Sequence, residues 1–253
     1  MAKASLTVCV IMKNEEANID ECLSSVHGWA DEIIVVDDES SDRTVELAGK
    51  YTDKIFHKKM ENEGIHRNWA HAQASNEWVL VLDADERASE ELKKEIAETL
   101  PSTEHACFSI PLKNYIGKTW IRHSGWYPAS KVRLFQKSQF WYEEVGVHPR
   151  AFLKEGKTEG HLKGDIIHKG YPDIEHFMGS LNRQTTLEAV KWIETGRKMS
   201  LGKAMWRTFD RFPRRYFRKK GYKDGLYGFV IAYFDSLYQF ISYIKYCELK
   251  KNQ

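Results

Sequence analysis

The chain has 253 residues, which is the length of one large domain or of one domain with an appendage. Hydrophobic residues make up 42% and charged residues 29%, with 16 Gly and 6 Pro, so disordered, collagen-like and low-complexity classes are excluded. The formal charge of +2 hides a division, because residues 1–100 hold 11 Lys/Arg against 22 Asp/Glu and residues 101–253 hold 27 against 14. Such asymmetry indicates that the two halves face different partners.

Strand and helix patterns alternate through the first hundred residues. Short apolar runs predict strands, and apolar residues at helical spacing predict the helices between them. The predicted strands are Leu6–Met12, Glu32–Val36, Lys54–His57 and Glu77–Leu82, and the predicted helices are Glu15–Val26, the segment after Ser40 and Ser41, His66–Ala74 and the segment after Ser89. This alternation predicts β-α-β units and a parallel sheet, in which ligands bind at the carboxyl ends of the strands.

The pattern changes from about residue 105. Strands are predicted at His105–Leu112, Lys131–Gln136 and Leu162–His168, as an α+β extension of the same sheet. Residues 173–197 have a helical pattern, and the tail from Leu201 alternates aromatic and basic residues before becoming mostly apolar. We therefore expect a sheet domain over 1–172 and a helical extension over 173–253.

Two acidic pairs follow buried strands. Asp83 and Asp85 come after Glu77–Leu82, and Asp37 and Asp38 come after Glu32–Val36. Carboxylates that converge at the mouth of a sheet suit Mg²⁺ or Mn²⁺, which prefer oxygen ligands and keep positions open for substrate phosphates. Either pair alone is also compatible with a loop opening or a turn, but together they favour a metal and nucleotide site.

Three segments carry a family resemblance: Val-Ile-Met-Lys-Asn-Glu-Glu, Ile-Ile-Val-Val-Asp-Asp-Glu-Ser-Ser-Asp-Arg-Thr and Leu-Val-Leu-Asp-Ala-Asp-Glu-Arg. They resemble the family 2 glycosyltransferases with the GT-A fold. Later segments are similar to the bacterial lipopolysaccharide-core β-glucosyltransferase-like branch, namely residues 120–128, Arg133-Leu134-Phe135, Val147-His148 and Ile167-His168.

The resemblance implies an α/β fold of the GT-A type, a Rossmann-like mixed sheet with a C-terminal helical extension. Residues 1–100 would be the nucleotide-binding half and 101–172 the acceptor-side half of a glycosyltransferase domain. The implied activity is a metal-dependent, inverting transfer from a nucleotide-diphosphate donor, with a UDP-sugar expected. The acceptor would be a glycan or a lipid-linked precursor in bacterial envelope polysaccharide or lipopolysaccharide synthesis.

The resemblance also implies roles for single residues. Asp37 would bind the donor base with Asp38 close by, Asp83 would reach the ribose or sugar, and Asp85 would hold the metal at the diphosphate. His168 resembles a histidine that adds a metal or diphosphate contact, although a structural histidine is the alternative. The remaining candidates for donor binding, each with an ordinary structural alternative, are Asn14, Glu15, Arg67 and Trp126.

The general base is not evident from the sequence. An inverting transfer needs a group that takes the proton of the acceptor hydroxyl. The similar branch carries a carboxylate directly after the Val-His pair, where this chain has Pro149, and an Asp after Trp-Tyr-Pro, where it has Ala129. Glu143 and Glu144 are the nearest substitutes, and a solvated strand end is the alternative interpretation of both.

The tail predicts contact with a membrane surface. Residues 203–223 hold nine Lys/Arg against one Asp, interleaved with aromatic residues, as in helices at an anionic membrane interface. An ordinary helix pair is the alternative, and nucleic acid is not expected because no recognition motif accompanies the basic residues. With four scattered cysteines, no signal-peptide pattern and no apolar run of about 18 residues, we expect a cytoplasmic protein, peripheral on the inner face of the cell membrane.

Two other functions stay open at this point. A nucleotidyltransferase can also combine a nucleotide-binding sheet with Asp-x-Asp, although it usually has a Gly-rich basic loop where this chain has Lys-Asn-Glu-Glu. A GT-A-like domain without a base could serve as a non-catalytic membrane scaffold. A dehydrogenase is disfavoured, because no Gly-x-Gly-x-x-Gly follows a strand.

Overall fold

The structure is a computed structural model that describes residues 4–146 and 149–251. The chain divides into two compact units. The first comprises the residues up to Leu112 together with Ser130–His168, and the second comprises Lys113–Ala129 together with the residues from Lys169 onward. Segment 113–129, which the sequence placed in the first domain, thus groups with the helical part, and the second unit resumes at Lys169, near the predicted boundary at 172.

The strands and helices follow the predicted alternation in the first half of the chain. The strands are β1 Leu6–Met12, β2 Glu32–Asp37, β3 Ile55–His57, β4 Trp78–Asp83, β5 Glu86–Ala88, β6 Cys107–Ile110, β7 Leu112–Ile116, β8 Thr119–Trp120, β9 Lys131–Gln136, β10 Phe140–Tyr142, β11 Ala151–Leu153, β12 Glu159–His161 and β13 Ile166–Tyr171. The helices are α1 Ile19–Ser24, α2 Thr44–Ala48, α3 Glu63–Ala72, α4 Glu90–Thr99, α5 Ile174–Glu194, α6 Leu201–Pro213 and α7 Gly225–Lys251.

The first unit is built around a seven-stranded mixed sheet in the order β12-β6-β9-β4-β1-β2-β3. Strand β1 lies parallel to both β2 and β4, whereas β9 runs antiparallel to β4 and β6. Alternate residues of β1 enter different clusters, with Val8 and Val10 in one and Cys9 in the other. Both faces of the central strands β1, β2 and β4 are buried, which explains why these strands are nearly continuous apolar runs.

Helices α3 and α4 both start at a residue whose side chain caps the helix. Asn62 accepts a hydrogen bond from the backbone N–H of Ile65 at the start of α3, and Ser89 accepts one from Leu92 at the start of α4. Both caps satisfy backbone donors that a helix start leaves unpaired. The helix predicted after Ser89 is confirmed.

The second unit consists of the β7–β8 hairpin and the three long helices, with a π-helical turn at Arg214–Arg218 and a 3₁₀ turn at Gly221–Asp224 between α6 and α7. Its core is aromatic and aliphatic, with Phe177 and Ile231 in one cluster and Trp192 and Tyr246 in another. Within the described part of the chain, no helix combines the length and apolarity that a bilayer crossing requires.

The later strands differ from the sequence prediction. The single strand expected at His105–Leu112 is two strands, because Pro111 separates β6 from β7 and cannot donate to a ladder. The strand expected at Leu162–His168 begins at Ile166, and β12 was not predicted. Polar residues in these short strands hide the alternation on which the prediction rests.

Candidate active site

The acidic residues lie at the carboxyl edge of the central strands. Asp37 ends β2 and pairs in register with Met12 of β1, while Asp83 ends β4 and pairs with Ile11. Because β1 is parallel to both neighbours, the two strand ends meet at the same edge. The structure thus brings together the two acidic pairs that the sequence predicted.

Asp37 and Asp38 are held in place at the end of β2. Asp37 accepts bonds from the backbone N–H of Ser40 at 3.3 Å and lies 3.2 Å from Nδ1 of His57. Asp38 accepts from the N–H of Met60 at 2.8 Å and from Nζ of Lys13 at 3.0 Å. Burial disfavours its charge, but these two donors hold the pKa of Asp38 below its usual value.

The loop after β1 is joined to the loop after β2. Asn14 has φ of +52°, a left-handed conformation that Asn tolerates, and its side-chain oxygen accepts a bond from the N–H of Ser41 at 2.8 Å. Glu15 is half-buried and accepts a bond from Asn18 at 2.8 Å. Burial raises the pKa of the Glu15 carboxyl. Both predicted residues therefore lie beside the Asp37 end of the sheet edge.

Asp83 belongs to a buried ionic network. Its Oδ2 lies 2.5 Å from Nη2 of Arg133, which also bonds the buried carboxylate of Glu86, and its Oδ1 lies 3.7 Å from Nη2 of Arg67. Burial alone would raise the pKa of Asp83, but the guanidinium groups of Arg133 and Arg67 hold it well below the usual value. Asp83 is therefore a fixed anion.

Asp85 and His168 face each other across a strand pair. Strand β13 runs antiparallel to β5 with His168 opposite Glu86, and Nε2 of His168 lies 3.1 Å from Oδ2 of Asp85. Burial lowers the pKa of His168, but the hydrogen bond and charge of Asp85 outweigh it and raise the pKa above its usual value. Across the described residues, no three His, Cys, Asp or Glu side chains come together as a metal cluster.

A cavity of about 310 Å³ opens beside Asp83. Its wall includes Glu63, Arg67, Asp83, Lys131, Arg133, Tyr142 and Pro149. Glu63 and Arg67 share an ion pair, with Oε1 3.0 Å from Nε. Arg67 is thus directed into the site, where its guanidinium contacts two carboxylates.

The two carboxylates predicted as the base are not among the described residues that line this cavity. Glu143 forms a two-pronged ion pair with Arg150, at 2.7 and 3.0 Å, and Glu144 is exposed. Val147 and His148, which belong to the resembling segments, lie outside the described residues.

Trp126 belongs to the second unit. Its ring centroid is 5.9 Å from that of Tyr171 and 6.0 Å from that of Phe177, so it packs in the aromatic cluster there. It also lines a cavity of about 310 Å³ within that unit, with Arg215 and Asp235. Its role in donor binding stays a sequence prediction.

Sequence reasoning missed Glu63, Glu86, Lys131 and Arg133. Arg133 was part of a resembling segment, but its role was hidden because its partners are 47 and 50 residues away. The one local signal was a charged residue inside the apolar pattern of a strand. Such a residue is almost never buried without a partner.

The mixed sheet with acidic residues at the carboxyl edge is the arrangement of a GT-A domain. The sequence profile of glycosyl transferase family 2 matches residues 7–157, and the chain belongs to this family. The predicted family and enzyme class are therefore confirmed. The family match favours a glycosyltransferase over the nucleotidyltransferase alternative.

Relatives match along nearly the whole chain. The lipopolysaccharide core biosynthesis glycosyltransferase LpsC of Rhizobium meliloti is 26% identical, covering 96% of this chain and 92% of its own. An uncharacterized glycosyltransferase of Rickettsia typhi is 28% identical, and the match covers 96% of this chain and 87% of the relative. S. aureus TarS 1–349 in complex with UDP superposes with a TM-score of 0.51 at 18% identity, covering 98% of this chain and 92% of that one. The last match supports the GT-A fold.

Proposed function

We propose that the chain moves a sugar from a UDP-sugar to a glycan or lipid-linked acceptor, with inversion at the anomeric carbon and with Mg²⁺ or Mn²⁺ bound. The observation that carries the proposal is the meeting of the acidic pairs of β2 and β4 at one sheet edge. The name of the Rhizobium relative supports a role in lipopolysaccharide or envelope polysaccharide synthesis, and the UDP bound to TarS supports a uridine donor.

The nucleoside would lie at the end of β2. Asp37 and Asp38 present carboxylate oxygens, which accept hydrogen bonds from base N–H groups and ribose hydroxyls. Asn14 and Glu15 stand on the adjoining loop, which the Ser41–Asn14 bond keeps in register with β2. Asp83, fixed by Arg133, would face the ribose or the sugar.

Asp85 and His168 are the residues that would hold the metal. They offer one carboxylate and one imidazole within 3.1 Å of each other, and Mg²⁺ and Mn²⁺ are commonly bound by few protein groups plus substrate phosphates. A pair of ligands therefore fits such an ion. When bound, the ion neutralises charge on the diphosphate leaving group.

Arg67 places a second positive charge beside Asp83, next to Oδ1, whereas Arg133 lies next to Oδ2. The guanidinium of Arg67 is held by Glu63 and lies 3.7 Å from Asp83, so it can donate to a phosphate oxygen without reorganising. Glu143 and Glu144 are the sequence-based candidates for the general base.

The helical extension would attach the protein to the inner face of the membrane. Leu201, Met205 and Phe209 lie four residues apart on one face of α6 and are exposed, Phe209 by 70%. Trp206 is 67% exposed and Leu226 77%. Exposed cations accompany them, namely Lys203, Arg218, Lys219, Lys220 and Lys223. Apolar and basic groups together suit the interface of an anionic bilayer, where a lipid-linked acceptor is presented.

Thermal stabilisation by nucleotide ligands tests the donor site. UDP and a panel of UDP- and GDP-sugars would be added with and without Mn²⁺ or Mg²⁺. Ligand binding to the folded state raises the melting temperature, and we expect about 5 °C or more for one uridine nucleotide at saturation, only with metal. The Asp85→Asn variant should lose the metal-dependent part of the rise.

Asp53→Asn is the matched control, because Asp53 is an exposed carboxylate of the same unit outside the site. It should respond to nucleotide and metal like the wild type. If no nucleotide stabilises the wild-type protein, the donor site is wrong and the scaffold function gains support. If Asp85→Asn keeps the full metal-dependent rise, the metal assignment is wrong.

A further inference from the structure

The inverting transfer proposed above needs a proton acceptor beside the donor. A general base must come within hydrogen-bond reach of the acceptor hydroxyl whose proton it takes. The cavity beside Asp83 adjoins the acidic edge and has room for a reacting group. The carboxylates that line it are therefore the groups to consider.

Two carboxylates face this cavity among the residues that the structure describes, Glu63 and Asp83. Asp83 has each oxygen directed at a guanidinium group, Oδ2 at Arg133 and Oδ1 at Arg67. Both of its oxygens are therefore already engaged by cationic side chains. Pro149 and Ala151, the other described wall residues of that stretch, carry no carboxylate, so Glu63 is the remaining carboxylate among the described residues.

Glu63 is placed on a rigid support. It is the first residue of α3, directly after the Asn62 cap. The N–H of the next residue, Gly64, donates to the carbonyl of Val145 at 3.1 Å. The Arg67 ion pair orients the carboxylate one helical turn away, and the side chain keeps 23% exposure. A substrate can therefore reach an oriented carboxylate.

Arg67 links this carboxylate to the donor side of the site. Its Nε lies 3.0 Å from Glu63 and its Nη2 lies 3.7 Å from Asp83, so the two carboxylates flank one guanidinium group. Glu143, like Glu63, is paired with an arginine, and Glu144 is exposed. Neither Glu143 nor Glu144 is among the described residues of the cavity wall, which is what separates them from Glu63.

We propose that Glu63 is the general base of the sugar transfer. Its carboxylate takes the proton of the acceptor hydroxyl while the hydroxyl oxygen forms a bond to the anomeric carbon. The bond from that carbon to the β-phosphate oxygen breaks, and its electron pair leaves with UDP. Glu63 ends the step protonated and releases the proton to water. This assignment rests on the proposed function.

Release of UDP from donor in the absence of acceptor tests the assignment, because water then takes the place of the acceptor hydroxyl. UDP-glucose, UDP-galactose and UDP-N-acetylglucosamine with Mn²⁺ are the probes. Glu63→Gln should lower the rate at saturating donor by about 100-fold or more, the usual contribution of a general base. UDP should still raise the melting temperature of the variant, since the substituted amide oxygen can still accept the bond from Nε of Arg67 that orients this guanidinium.

Glu61→Gln is the matched control, an exposed carboxylate two residues away that should keep the wild-type rate. Separate Glu143→Gln and Glu144→Gln variants complete the set. A Glu63→Gln rate close to wild type, or a loss confined to Glu143→Gln or Glu144→Gln, would overturn the assignment. Wild-type protein that releases no UDP from any probe would overturn the proposed function itself, and the base with it.

Discussion

Glu32 is a carboxylate buried at the start of β2, far along the strand from the acidic edge. Its oxygens accept bonds from the hydroxyls of Thr7 and Ser75, the N–H of Ser75 and the ammonium group of Lys54. Burial opposes the charge, but these donors lower the pKa of Glu32 from 4.5 to about 2. The folded state therefore prefers the ionised form more strongly than the unfolded state does.

Replacing Glu32 should cost stability in a pH-dependent way. Because the folded pKa is depressed, the stabilisation is present above the unfolded pKa and is lost as pH falls through the folded one. Glu32→Gln should lower the free energy of unfolding at neutral pH by about 2 kcal/mol, allowing for screening of the half-exposed Lys54. The deficit should narrow between pH 4.5 and about 2. Urea unfolding across that range measures it.

Glu104→Gln is the control for this prediction, since Glu104 is exposed. Its effect should stay within about 0.5 kcal/mol at every pH. A deficit in Glu32→Gln that did not change with pH would show that the loss comes from packing and not from charge.

Helix α3 depends on a close approach of backbones. A Cβ on Gly64 would lie 1.8 Å from the carbonyl oxygen of Glu143 and 2.8 Å from its carbon. Only glycine lets the helix start lie against the 143–145 segment, where the Gly64 N–H bonds to Val145. This contact positions the helix that carries Glu63 and Arg67.

Gly64→Ala should therefore destabilise the protein by about 2 kcal/mol or more, because the helix or the facing segment has to move. Gly202 offers a matched control at the second residue of α6, with a side-chain cap before it and no atom within 4 Å of an added Cβ. Gly202→Ala should change stability by no more than about 0.5 kcal/mol. Differential scanning calorimetry of both variants measures the change in stability. Equal changes in the two variants would refute the close approach at Gly64.

Charge is distributed unevenly along the chain. The basic part predicts that binding to the proposed membrane surface depends on lipid charge and on salt. Residues 101–253 carry a net +13 and residues 1–100 a net −11, counting Lys/Arg against Asp/Glu. Attraction of a basic surface to anionic lipid falls steeply with salt. Binding to vesicles should therefore need anionic lipid and weaken as ionic strength rises.

Reversing exposed charges between α6 and α7 should weaken the binding to anionic vesicles. At about 1 kcal/mol per cation, replacing four of them by Glu should weaken binding about 100-fold or more at low salt. The four residues are Arg218, Lys219, Lys220 and Lys223. Sedimentation with vesicles of phosphatidylglycerol and phosphatidylcholine measures the change.

A second set of four reversals controls for net charge alone. It consists of exposed lysines of the first unit, Lys50, Lys94, Lys154 and Lys157. This variant has the same net charge as the first and should keep most of the vesicle binding. If both variants bind equally well, the membrane surface is not the one between α6 and α7.

The sequence correctly predicted those strands that are specified by the pattern of neighbouring residues. Strands β1 and β9 have the predicted bounds, because β-branched and other apolar residues dominate both segments although Thr7 and Arg133 interrupt them. The two acidic pairs could be placed at one edge, since parallel strands bring their carboxyl ends together. The same residues carried the family resemblance, which the match to residues 7–157 confirms.

Only the tertiary structure decided which distant charges meet. Arg133 reaches Asp83 and Glu86 because β9 lies beside β4, and His168 reaches Asp85 because β13 pairs with β5. Periodicity along the chain shows which face of a strand is buried, but it contains no record of strand order or of the partner across a ladder. The sequence by itself therefore determined the family and the edge of the sheet at which the acidic residues lie. The pairing of strands determined that Arg133 fixes Asp83 and Glu86, and the contact of α3 with the 143–145 segment positioned Glu63 in the wall of the cavity.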